Sequence, residues 1–204
     1  MKKLLLPIFL LIASLARAAA PVDLGSGQAY VRVQALADLG NLPSGALVLD
    51  LRYPTVGEDA AGELRAWLAA RPRSAELFVL VSPMTPPPVA AVVAQSGVVT
   101  LGAPGSLPAP KVLVQTEPAI DRRAYDAADA GTPIAKLISG KVAKERYDEA
   151  SLVADFNNGD RDAEPPAGPD PTAEKDERAK EPPLVDRVLQ RAADLHRALQ
   201  ALRP

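Results

Sequence analysis

Ala46-Leu47-Val48-Leu49-Asp50-Leu51-Arg52 is the stretch from which the fold can be read. Residues 46–51 form a nearly continuous apolar run, the pattern of a strand buried on both faces of a parallel sheet. Working outward, Ala29 to Val33 is a shorter strand candidate upstream. Downstream, residues 57–70 place Leu64, Trp67 and Leu68 at helical spacing, and Arg71-Pro72 ends that helix. Leu77 to Val81 is a second strong strand. Pro88 to Gln95 reads as a helix, with Pro tolerated in its first turn and Gly97 just past its end. Val98 to Leu101 and Val112 to Val114 are further strands, and residues 118–130 and 133–138 further helices. Strands alternating with helices imply parallel pairing through crossovers. The predicted class is therefore α/β, a mainly parallel sheet with flanking helices, over residues 27–156.

The flanks differ in character. Lys2 and Lys3 precede an apolar stretch from Leu4 to Leu15, and Ala16-Arg17-Ala18 fits the small-x-small rule for a cleavage site. Residues 1–18 are thus read as a secretory signal peptide. About 20 apolar residues would be needed to span a bilayer, so no integral membrane span is expected after cleavage. The predicted location is periplasmic or secreted. Residues 157–183 carry Pro165, Pro166, Pro169, Pro171, Pro182 and Pro183 among acids and bases, without apolar periodicity. Such a stretch is predicted to be a disordered, solvated linker. Residues 184–203 form an amphipathic helix, with Leu184, Val188, Ala192, Leu195, Leu199 and Leu202 along one stripe. That stripe can dock on the α/β unit, build an oligomer, or receive a protein or peptide partner.

Composition removes much of enzyme chemistry. The 204 residues include no Cys and one His, so disulfides, thiol catalysis and thiolate or multi-His metal sites are excluded. Only 4% of the chain is aromatic and the formal net charge is −2, which argues against a nucleic-acid partner. Loss of residues 1–18 would leave 20 basic against 25 acidic residues. No cofactor is expected: ATP and NAD are kept in the cytoplasm. His196 sits on the terminal helix beyond the linker and is predicted to be an exposed helix residue rather than the base of a triad. Gly140-Lys141 lacks the opening glycine of a phosphate loop, because residue 135 is Ala135.

Three pieces in order carry a more specific signal. The Leu49-Asp50-Leu51-Arg52 strand end runs through Tyr53 to Gly57 into a helix; Val79-Leu80-Val81-Ser82 leads into Thr85-Pro86-Pro87-Pro88; Val98 to Leu101 leads into Gly102-Ala103-Pro104-Gly105. This order, over residues 46–105, resembles the C-terminal processing, or tail-specific, serine proteases of the Clp protease/crotonase-like superfold. The resemblance implies an oxyanion loop at Gly57, a nucleophile near Thr85 and Pro87, and a lysine base after Gly102.

The departures remove the chemistry. Pro87 stands where the resemblance places the serine, and proline has neither a side-chain oxygen nor a backbone N–H. Gly105-Ser106 replaces a Gly-Lys pair, and Val56 replaces the first glycine of the oxyanion loop. No catalytic residue is therefore assigned. Arg52, Gly57, Thr85, Pro87 and Gly102 are candidates for a degenerate pocket. The alternative is a displaced dyad, Ser82 or Thr85 with Lys111, since a hydrolase needs a nucleophile and a base within reach. A rhodanese-like reading of the Leu-Asp-Leu-Arg strand would require a Cys, and there is none. The resulting expectation is an exported, catalytically inactive binding or scaffold module.

Overall fold

The computed structural model describes residues 20–55, 57, 59–139 and 183–203. The predicted signal peptide, Lys144 to Val153 and all but the last residue of the predicted linker lie outside these. Six strands form one sheet in sequential order, β1 (Val22–Asp23), β2 (Ala29–Arg32), β3 (Leu47–Asp50), β4 (Leu77–Val81), β5 (Val99–Gly102) and β6 (Val112–Leu113). Strands β2 to β6 pair in parallel. The edge strand β1 pairs antiparallel with β2 and was not foreseen from sequence, being only two residues long. A 3₁₀ segment (Leu36–Asn41), α1 (Ala60–Ala70) and α2 (Pro87–Ser96) supply the crossovers between β2 and β5. Then come α3 (Pro118–Asp129), α4 (Ile134–Ile138) and α5 (Arg187–Ala201).

The period-2 alternation of strands sorts side chains between two cores. Leu47, Leu49 and Leu51 face one side with Val31, Val79 and Val81, where the 3₁₀ segment, α1 and α2 cover them. Val48 faces the other side with Tyr30, Phe78, Leu80 and Leu101, beneath Val188, Leu189 and Ala192 of α5. Both faces are therefore covered, as a parallel sheet requires. Gly97 adopts φ +76 at the end of α2, a left-handed conformation that glycine takes without a Cβ penalty.

The terminal helix thus docks on the α/β unit. It starts beside the C-terminal end of β3 and runs back across the sheet to the turn before β2, where His196 meets Ser26. This corrects the placement of His196, which is 1% exposed rather than solvated. The stripe also rotates. Val188 is buried and Leu184 and Leu195 half-buried, but Leu199 and Leu202 are 43% and 79% exposed. Leu189, Ala193 and His196 are buried in their place. The helix meets the sheet along its first three turns and then overruns its lower edge, leaving the last two leucines uncovered. The face that could have built an oligomer is largely used within the chain. Truncating Leu189 to Ala should lower stability by about 2–5 kcal/mol, the cost of a cavity in a closed core, in urea unfolding of the full chain.

Candidate functional site

The C-terminal edge of a parallel sheet is where α/β proteins gather functional groups. Here it gathers charge. Alternation that sends Leu49 and Leu51 into the apolar core sends Asp50 and Arg52 to the opposite face, beside Arg32, whose β2 position pairs with Asp50. Arg52 has no exposed surface. Its Nε donates to Asp50 (3.0 Å), its Nη1 to Asp121 (2.7 Å) and Asp186 (3.1 Å), and its Nη2 to Asp50 and Asp186 (2.7 Å each). All five guanidinium N–H groups are thereby satisfied by three carboxylates.

Each acid comes from a different element. Asp50 ends β3, Asp121 lies in the first turn of α3, and Asp186 is the N-cap of α5, accepting from Leu189 N at 2.9 Å. A carboxylate at that position also complements the helix dipole. Aromatic groups close the shell. Tyr30 donates its hydroxyl to Asp50 (2.7 Å), Tyr53 donates to Asp121 (3.3 Å), and Tyr125 lies 3.8 Å below the Arg32 guanidinium. Arg32 also pairs with Asp129.

Burial and charge divide the acids. Burial alone would raise Asp50, but the Arg52 guanidinium outweighs it and holds this carboxyl below its ordinary range. Asp121 moves the other way: burial raises it, Arg52 only partly offsets this, and the neighbouring Asp186 and Asp50 charges add to the rise. Burial, reinforced by the charge of Asp121, pushes the Tyr53 hydroxyl up to about 12.

The loops beyond β3, β4 and β5 are laced to one another. Ser82 Oγ donates to Arg52 O (2.6 Å) and accepts from Met84 N (3.0 Å). Thr85 Oγ1 donates to Leu51 O and accepts from Ser82 N, each at 2.9 Å. Ser106, standing where the resemblance places a lysine, donates to Ala103 O (2.7 Å). A Cβ on Gly102 would come within 2.7 Å of both Ser106 Oγ and Val81 O, so this glycine leaves room for Ser106 to fold back against the end of β4.

Of the sequence candidates, the structure gathers Arg52, Thr85, Ser82 and Gly102 at this edge, all buried. Pro87 is exposed in the first turn of α2, and Gly57 is exposed with open space around its missing Cβ. Lys111 is not brought to Ser82 or Thr85. Its Nζ donates to the carbonyl of Gly97, before β5 begins, at the opposite end of the sheet. Among the described residues no group of acids and His is arranged to hold a metal ion, and no helix is long and apolar enough to cross a membrane. Comparisons with protein-family models, curated proteins and solved structures return no match.

Tyr30, Arg32, Asp50, Tyr53, Asp121, Tyr125 and Asp186 were missed as site residues. The alternation in Tyr30-x-Arg32 and Asp50-x-Arg52 was the available signal, since an arginine facing a buried layer demands acids from whatever packs there.

Two outcomes follow. Replacing Arg52 by Met strands three buried carboxylates and should cost about 3–5 kcal/mol in denaturant unfolding. Lysine, with three donors for five contacts, should rescue little of that loss. The raised Asp121 sets a pH trend. A group whose folded pKa is raised stabilises fully below its unfolded value and loses that contribution as pH rises through the folded one. Asp121→Asn removes the loss, so its stability relative to the parent should improve from about pH 4 to about pH 7. Urea midpoints at the two pH values measure it.

Proposed function

We propose that this chain is an exported, non-catalytic binding or scaffold module built on a degenerate frame of the tail-specific-protease, Clp protease/crotonase-like kind. The observation that carries the reading is the use made of the two hydroxyls nearest the nucleophile position. Ser82 and Thr85 are 0% and 2% exposed, and each is committed to a main-chain carbonyl and a main-chain N–H. A nucleophile must be approachable by substrate and within reach of a base. Lys111 is held at the other end of the sheet, and His196 lies with its Nε2 on Ser26 and its Nδ1 3.1 Å from Glu76. The order of the three strand-to-loop pieces between residues 46 and 105 supports the kinship, and residues 1–18 support export. In such a module the hydroxyls have become ties between loops, and rigidity of this edge takes the place of reactivity.

The test is covalent. Incubated with a fluorophosphonate probe and with unstructured polypeptides, the full chain should acquire no label and release no fragments. Ser82→Ala, which leaves the Arg52 carbonyl without its donor, should instead lower stability by about 1–3 kcal/mol. Labelling of the parent that disappears in Ser82→Ala or Thr85→Ala would overturn the proposal.

A further inference from the structure

A second region of interest lies at the opposite end of the sheet. A cavity of about 920 Å³ opens there between the C-terminal ends of α1 and α2, the starts of β4 and β5, and Leu199 of α5. That size falls within the roughly 300–1,000 Å³ usual for small-molecule sites. Its apolar wall is formed by Leu68, Leu77, Phe78, Val98 and Leu199. Its polar wall is cationic, with Arg65, Arg71 and Arg73. Lys111 stands at the margin, its Nζ on the carbonyl of Gly97, itself a wall residue.

These charges are not neutralised from within. Arg71 donates to two carbonyls, Pro43 O (2.8 Å) and Gly45 O; among the described residues no acid balances it and its buried Nε has no hydrogen-bond partner. Arg65 and Arg73 are exposed and have no ion-pair partner among the described residues. The wall's acid, Glu76, lies 3.1 Å from His196 Nδ1 and 3.4 Å from Arg203. Two exposed arginines, Arg65 and Arg73, thus border an apolar recess, with Arg71 fixed beside them by its bonds to main-chain carbonyls. Arginine forks suit carboxylate or phosphate, and the recess suits an aliphatic chain.

We infer that this cavity binds a small anionic amphiphile, with a carboxylate or phosphate head on Arg65 and Arg73 and an aliphatic tail against Leu68, Phe78 and Leu199. The site stands apart from the edge discussed above. Catalysis at Ser82 would overturn the non-catalytic reading and leave this inference untouched.

Trp67, the chain's single tryptophan, reports on it, because the Arg71 guanidinium lies 5.3 Å from its ring centre. The full chain is titrated with decanoate, decyl phosphate, the neutral decyl maltoside and inorganic phosphate, each below its micelle-forming concentration. Both anionic amphiphiles should give a saturable change in fluorescence, while the neutral amphiphile and inorganic phosphate bind at least about tenfold more weakly. Tighter decanoate binding would identify a carboxylate ligand, and tighter decyl phosphate binding a phosphate ligand. The double variant Arg65→Ala/Arg73→Ala, at exposed positions that leave the core intact, should weaken both by about tenfold or more. Leu199→Asp should weaken them while sparing the thermal midpoint. Equal binding of decyl maltoside or of inorganic phosphate, or unaltered affinity in either variant, would overturn the inference.

Discussion

A single guanidinium with no exposed surface, surrounded by carboxylates from three separated parts of the chain, sets the terms for this fold. Removing an arginine from water is costly unless every N–H is matched, and here each one is. The requirement works in both directions. Asp50, Asp121 and Asp186 can be buried only because Arg52 lies between them, and α3 and α5 must pack where they do to deliver the last two. An apolar core of similar volume could stabilise as well. What charge adds is selectivity of position: a helix shifted by one residue would bring no carboxylate to the guanidinium.

The same edge spends its side-chain hydroxyls on holding its loops together. Strand ends in parallel sheets leave loops free to vary, and in a catalyst some of their polar groups stay unsatisfied until substrate arrives. In this chain Ser82 and Thr85 satisfy carbonyls of the neighbouring loop, and Ser106 bonds Ala103 O in its own loop and reaches Val81 O at the end of β4. Gly102 lets the turn carrying Ser106 fold back against the end of β4 more closely than any side chain would permit. The opposite end of the sheet differs, with open space bordered by Arg65, Arg71 and Arg73, which have no ion-pair partner among the described residues.

Much of the architecture was legible in residue order. Apolar runs at 47–51 and 77–81, and the helical spacing of Leu64, Trp67 and Leu68, gave strands and helices close to those found. The two-residue β1 was invisible because a single antiparallel pairing leaves no periodic trace. The 3₁₀ segment escaped for a related reason, since its Leu36 and Leu39 read equally well as loop. The site was less legible. Asp121 and Asp186 look like surface acids locally, and only the burial of Arg52, a tertiary property, calls them inward. His196 was misplaced likewise: its helix could be read as amphipathic, but not rotated correctly without knowing that Asp186 fixes its start.

The capping of α5 by Asp186 has a consequence for how the chain acquires its structure. The Arg52–Asp186 contact spans 134 positions, so the charge shell cannot close until residue 186 has been made. Contacts of such separation form late, after the loop-closure entropy has been met. Before then Arg52 has two of its three anions and the sheet face lined by Val48, Leu80 and Leu101 lacks its cover. A partially synthesised polypeptide of this sequence is therefore held short of its native state until the final helix seals the molecule.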